Sequence, residues 1–346
     1  MSTADAVAVV LWIGATLYAV FGGADFGAGL WSLLAGQGER GERARALVDW
    51  AIGPVWEANH VWLIFVLVVM WTAFPVAFSS IMSTLFIPLS LAALGIVLRG
   101  SGFAFHKLAR QLRYRRLAER AFGFFSLLTP FFMGTVVGAI ASGRVPVGNA
   151  AGDAVTSWLN GVSLLTGALF VATGAYLSAV FLISDARRAG DPDLERYFST
   201  RALIAALAAG TIALAGIFAY RADARFIYDG LTSEGLPLVI LSAACGLGVL
   251  GLLWRGQRRG ARPLAVGAVV AVIWGWGVAQ YPYLLPQALT IKDGAGPSST
   301  LTAVLVVFGV AVVVVLPALG FLYPLTQRSV LEGDVDGPQP IRPPGS

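Results

Sequence analysis

A handful of ionisable side chains interrupt stretches that are otherwise apolar. Asp25 sits in Phe21-Gly22-Gly23-Ala24-Asp25-Phe26-Gly27-Ala28-Gly29, and Glu57 in Gly53-Pro54-Val55-Trp56-Glu57-Ala58-Asn59-His60-Val61-Trp62. Arg99 follows a run that carries no charge from Val76 to Leu91. Charges in such surroundings face a bundle interior or a water-filled cavity. His60 follows Glu57 by three positions, so both side chains share one helix face, flanked by Trp56 and Asn59. A carboxylic acid and an imidazole one turn apart can hand on a proton, because both can be tuned to titrate near neutrality. The chemistry expected is therefore proton uptake through Asp25, Glu57, His60 and Arg99, with Trp56, Asn59, Gly22 and Gly23 in support.

Each residue also has a plainer reading. Asp25 can serve as hydrogen-bonding glue between helices, and the glycines at 22, 23, 27 and 29 as points of close helix packing. His60 is open to a second role as an axial haem ligand. His106, beside Lys107 and Arg110, reads as a solvated surface residue. The single cysteine, Cys245, excludes both a disulfide framework and a cysteine-based metal site within the chain. No metal site is expected.

The elements that must position these groups are set by the solvent. Of 346 residues 57% are hydrophobic and only 12% charged, about half the charge a water-soluble domain carries. Uncharged runs such as Thr300 to Leu325 exceed the about 20 residues needed to cross a ~30 Å hydrocarbon layer. About nine spans are expected, at 5–34, 50–74, 78–98, 121–142, 158–183, 202–220, 236–254, 263–282 and 300–325. Only Arg144, Arg221, Arg225 and Lys292 of the 24 basic residues fall on one side of this arrangement. The excess on the other side puts the N-terminus outside and the C-terminus in the cytoplasm. The net charge of +5 then reflects topology, with no nucleic-acid module in view. Counting along the helices puts Asp25 roughly 13 Å and Glu57 roughly 11 Å from the cytoplasmic ends of spans 1 and 2. Arg99 is expected to close span 3 near the mouth of the cavity they share. Residues 1–331 form one transmembrane domain, and the Pro- and Gly-rich stretch 332–346 reads as a disordered tail.

The block Gly22–Gly29, together with Ile52-Gly53-Pro54-Val55-Trp56-Glu57-Ala58-Asn59-His60-Val61-Trp62-Leu63-Ile64, resembles subunit II of the cytochrome bd-type quinol oxidases. Phe74-Pro75, Arg99 with Gly102-Phe103, and Tyr281-Pro282-Tyr283-Leu284-Leu285-Pro286 extend the resemblance along nearly the whole chain. It implies an all-α membrane subunit built as two four-helix bundles plus a peripheral helix, in a prokaryotic cell membrane. It implies a terminal oxidase that couples quinol oxidation to reduction of dioxygen to water. Haem b and haem d would lie in the partner, subunit I, with small accessory subunits and a structural quinone or membrane lipid as further companions. By position, Asp25, Glu57 and Arg99 match family residues associated with a proton route and with subunit stability. Gly22 stands where many members carry a second acid, and His60 where many carry glutamine. With His60 as the one intramembrane imidazole, bis-imidazole ligation of several haems is excluded from this chain. A stand-alone proton-coupled transporter is the competing reading, but no second half repeats the acid-bearing blocks.

Overall fold

The first helix of the chain begins with a reciprocal cap. Ser2 Oγ accepts the Asp5 backbone N–H, and the Asp5 carboxylate accepts the Ser2 backbone N–H at 2.8 Å. From there α1 (Thr3–Leu17) passes through one π turn (Tyr18–Gly22) into α2 (Gly23–Leu33) without a break. The computed structural model describes residues 2–52, 56–108, 112–257 and 259–327; the side chains of 53–58, 103–116, 315, 316 and 318–327 lie outside that description. The tail expected at 332–346 lies outside the described residues as well.

The remaining helices are α3 (Glu39–Ile52), α4 (Trp56–Ala73), α5 (Pro75–Thr84), α6 (Phe86–Leu108), α7 (Leu112–Ala141) and α8 (Gly161–Arg188). They are followed by α9 (Pro192–Asp223), α10 (Arg225–Thr232), α11 (Leu236–Trp254), α12 (Ala261–Gln280) and α13 (Ser298–Gln327). Between α12 and α13 a small antiparallel hairpin pairs β1 (Tyr283–Leu285) with β2 (Leu289–Thr290). The starts follow local chemistry. Asn160 accepts the Ser163 N–H at 3.0 Å to cap α8, and Asp191 accepts those of Asp193 and Leu194 ahead of Pro192 to cap α9.

Among the described residues, six stretches are long and apolar enough to cross a membrane: Thr3–Leu33, Leu117–Ala141, Gly161–Arg188, Pro192–Asp223, Leu236–Trp254 and Ala261–Gln280. The helices α4 and α5 meet at Phe74-Pro75 with a bend of 119° and would make a seventh if taken as one span. The expected spans 78–98 and 300–325 fall on the shorter apolar stretches Phe86–Gly102 and Ser298–Val314.

Several boundaries differ from expectation for identifiable reasons. Pro75 has no N–H and a fixed φ, so it starts a new helix, α5, and the third apolar stretch begins at Phe86 instead of 78. Within the expected span 50–74 the description covers α3 up to Ile52 and α4 from Trp56; residues 53–55 lie outside the described residues. Arg99 does not close its helix, since α6 runs on to Leu108.

Packing is closest around α2. A Cβ on Gly27 would stand 2.0 Å from the carbonyl oxygen of Gly174 in α8, and one on Gly29 2.1 Å from Ser126 Oγ in α7. Only glycine allows α2 to seat so deeply between α7 and α8, the close small-residue contact on which intramembrane association depends. Neighbouring pairs α6–α7, α8–α9 and α11–α12 pack along their lengths, and α13 lies on α1 and α4. One buried apolar cluster joins α2, α3, α8, α9, α11 and α12, and another joins α1, α4, α5, α7, the hairpin and α13.

Candidate functional site: a buried ion pair between two helices

The deep seating of α2 brings Asp25 against Arg99 of α6. Their side chains are 2% and 1% exposed and meet at 2.6 Å from guanidinium Nη2 to Asp25 Oδ1. Nη2 also donates to the Asp25 backbone carbonyl at 3.3 Å, and Nε donates to Ser126 Oγ at 2.8 Å. Ser126 in turn donates to the Phe122 carbonyl at 2.7 Å, so its lone pairs are aimed at Arg99. Pro130, four residues on, supplies no N–H to the Ser126 carbonyl, which concentrates acceptor capacity at this point of α7. The guanidinium plane is flanked by the rings of Phe26 and Phe122, with centroids 4.9 and 4.7 Å from Cζ. Arg99 thus has a fixed orientation, charge neutralisation and two aromatic walls, the conditions under which a guanidinium tolerates burial.

The second oxygen of Asp25, Oδ2, is buried with no hydrogen-bond partner among the described residues. Such an atom is costly unless it receives a proton or a water. The pair is therefore a neutral unit with one open acceptor in the interior of an apolar bundle.

His60 of α4 reaches the same locality through Phe26: their ring centroids are 6.2 Å apart. Phe26 is consequently in contact with Arg99 through one interaction and with His60 through another. Asn59 is buried beside His60 in the sequence of α4. The side chains of Glu57 and Trp56, both expected in the site, lie outside the described residues, as does that of His106. Gly22 is buried, and a Cβ there would stand 2.8 Å from the Tyr18 ring, so Tyr18 fills the space a second acid would need. Its hydroxyl lies 3.6 Å from Met133 Sδ. Gly23 has nothing nearer than 4.0 Å and imposes no such restriction.

The expected placement of Arg99 at a cavity mouth is corrected: it is one of the most deeply buried large side chains in the structure. The reason is that Asp25 cancels its charge inside the bundle. Three partners, Ser126, Phe26 and Phe122, were not singled out from the sequence. The signal for Ser126 was a hydroxyl four residues before a proline inside an apolar run, which is weak without knowing the facing helix.

Among the described residues His60 is the single imidazole near this site. Among the described residues no group of three or more His, Cys, Asp or Glu side chains gathers to hold a metal. His60, the one imidazole at hand, is packed near Phe26. The described residues of this chain hold and orient charge; they do not offer a bis-imidazole cradle.

Comparison with known proteins agrees across the chain's length. The family described as cytochrome bd terminal oxidase subunit II matches residues 3–326. A putative cytochrome bd menaquinol oxidase subunit II of Bacillus subtilis is 23% identical over 95% of this chain and 97% of its own length. A cytochrome bd ubiquinol oxidase subunit 2 of the same organism is 27% identical over 64% of each. The solved bd oxidase of Geobacillus thermodenitrificans superposes with a TM-score of 0.74 at 28% identity, covering 94% of this chain and 99% of that one. The transporter reading finds no support in these matches. This chain belongs to the cytochrome bd terminal oxidase subunit II family and is a multi-pass membrane subunit of a terminal quinol oxidase.

Proposed function

We propose that this chain supports the haem-bearing subunit I and offers protons a route from the cytoplasm towards the site of oxygen reduction. The observation that carries the reading is the Asp25–Arg99 pair at 2.6 Å, buried in the helix bundle with Asp25 Oδ2 unpartnered among the described residues. A purely structural ion pair gains nothing from leaving a buried oxygen unpartnered. An open acceptor that a water or proton can occupy is useful in a relay.

In this reading Glu57 receives protons and His60, one turn on in α4, passes them inward. Asp25 Oδ2 is the next acceptor. Arg99 is a positioning residue: it holds Asp25 through Oδ1 and keeps the local charge balanced whenever a proton passes. Asn59, Trp56, Gly22 and Gly23 support the path. The route requires the basic loops to face the cytoplasm, with the N-terminus outside. Quinol oxidation and oxygen reduction, with haem b and haem d as the redox groups, take place in subunit I. A structural quinone or lipid and small accessory subunits complete the proposed assembly.

The test is Glu57→Gln in the assembled oxidase. Quinol-dependent oxygen uptake should fall at least ten-fold while the haem spectrum and the subunit ratio stay unchanged. Undiminished turnover between pH 6 and 8 would remove Glu57 from the route; loss of assembly would mean that its role is structural.

A further inference from the structure

A second cationic site lies away from the Asp25–Arg99 pair, where the ends of α2, α3 and α9 meet. Four arginines cluster in this region with carboxylate or aromatic partners, and they divide into two kinds. Arg43 pairs with Asp191 at 2.7 Å, and Arg187 with Glu195 at 2.8 Å. Arg40 and Arg201 have no carboxylate within ion-pair distance among the described residues. They share one tyrosine instead: the Arg201 guanidinium lies 3.2 Å and that of Arg40 5.4 Å from the centroid of Tyr197. Arg201 is also 5.9 Å from the ring of Trp31, whose indole N–H is fixed on the Ala175 carbonyl at 2.9 Å.

Two like charges gathered on one ring repel, and the arrangement is unfavourable without an anion between them. Tyr197 adds a second observation. It is only 8% exposed, and its hydroxyl is buried with no partner among the described residues. Arg201 Nε is likewise buried without a partner. Arg201 Nη1 donates to the Tyr197 backbone carbonyl at 3.3 Å, which leaves Nε, the Arg40 guanidinium and the phenol as donors suited to the tetrahedral oxygens of a phosphate.

The surface beside the cluster selects the source of that phosphate. The exposed side of α9 turns apolar immediately past Arg201, with Ile204 and Leu207 each 59% exposed. These lie roughly 5 and 9 Å further along the helix at 1.5 Å per residue. Further along the same helix, Leu165, Leu169, Ile212 and Gly216 line a small, mainly apolar cavity between α8 and α9. Cations at a helix end followed by an apolar lane match a headgroup with its acyl chain. We infer that Arg40, Arg201 and Tyr197 bind the phosphodiester of an anionic phospholipid whose acyl chain lies along α9.

The site is tested on the purified oxidase complex by native mass spectrometry, with palmitoyl-oleoyl phosphatidylglycerol or the matching phosphatidylcholine added. The wild type should retain one phosphatidylglycerol that phosphatidylcholine does not displace. Arg40→Gln and Arg201→Gln should each weaken this retention about five-fold, and together about 25-fold. Arg201→Lys should retain part of the affinity. Equal retention of the two lipids, or undiminished phosphatidylglycerol binding by the double variant, overturns the inference. Displacement of the bound lipid by millimolar inorganic phosphate overturns the choice of a lipid in favour of a free anion. If Arg201 variants fail to assemble, Arg40→Gln decides alone, since the Arg40 side chain is exposed and outside the packed core.

Discussion

Arg99→Met removes the cation of the buried pair and nearly preserves the length of the side chain. Asp25 is then left at 2% side-chain exposure with neither carboxylate oxygen bonded to a cation, and Ser126 Oγ loses its donor. Breaking a buried pair from one side costs about 3–5 kcal/mol, and the lost Ser126 bond adds about 1 kcal/mol. At about 2–4 °C per kcal/mol, the thermal midpoint should drop by roughly 8–24 °C. The midpoint is read from loss of subunit co-elution on size exclusion, alongside the haem absorbance of the complex. Asp25→Leu combined with Arg99→Met should recover most of the loss, because an apolar pair of similar volume is no worse than a buried ion pair. The coupling between the two sites should therefore exceed about 2 kcal/mol. A single Arg99→Met variant as stable as the wild type would falsify the claim that the pair holds α2 to α6. A double variant with the summed losses of both single variants would instead show that the two side chains act independently.

The remaining expectations are smaller in scope. Gly27→Ala should prevent assembly or lower the thermal midpoint sharply, because its Cβ would stand 2.0 Å from a backbone oxygen, whereas Gly23→Ala should be tolerated, with 4.0 Å of clearance. Trp31→Phe should cost about 1 kcal/mol in the same melting assay by removing the 2.9 Å bond to the Ala175 carbonyl. Asp153, in the loop before α8, has its carboxyl held below the ordinary value of 3.8 by the backbone N–H groups of Thr156 and Val155 and by the Thr156 hydroxyl. A depressed folded-state value means that this turn is supported above pH 3.8 and loses that support as the pH falls; a carboxyl-carbon titration should therefore place its midpoint below 3.8.

Where the sequence read well, a single physical constraint dominated. Apolar runs long enough to span a bilayer must be helical, because hydrocarbon offers no partner for backbone polar groups. That is why Leu236–Trp254 was expected at the residues where α11 lies. The reading failed where a local backbone rule interrupted an apolar run. Pro75 divides α4 from α5, though hydropathy alone passes through that boundary. In the site, the residue types were legible and their pairing was not. Asp25 and Arg99 each stood out as a charge in apolar surroundings, yet 74 positions separate them, and no spacing rule links two helices that far apart. What could have linked them is charge balance: an arginine held at 1% exposure requires an acid, and Asp25 was the carboxylate whose helix also carried glycines for close approach. The same reasoning bears on Gly22. With Tyr18 occupying the space of a second acid, helix α2 brings one carboxylate to one guanidinium, and the pair is neutral. A second acid at Gly22 would add a negative charge without a cation to match it among the described residues, so the single carboxylate of α2 and the burial of Arg99 are parts of one electrostatic arrangement.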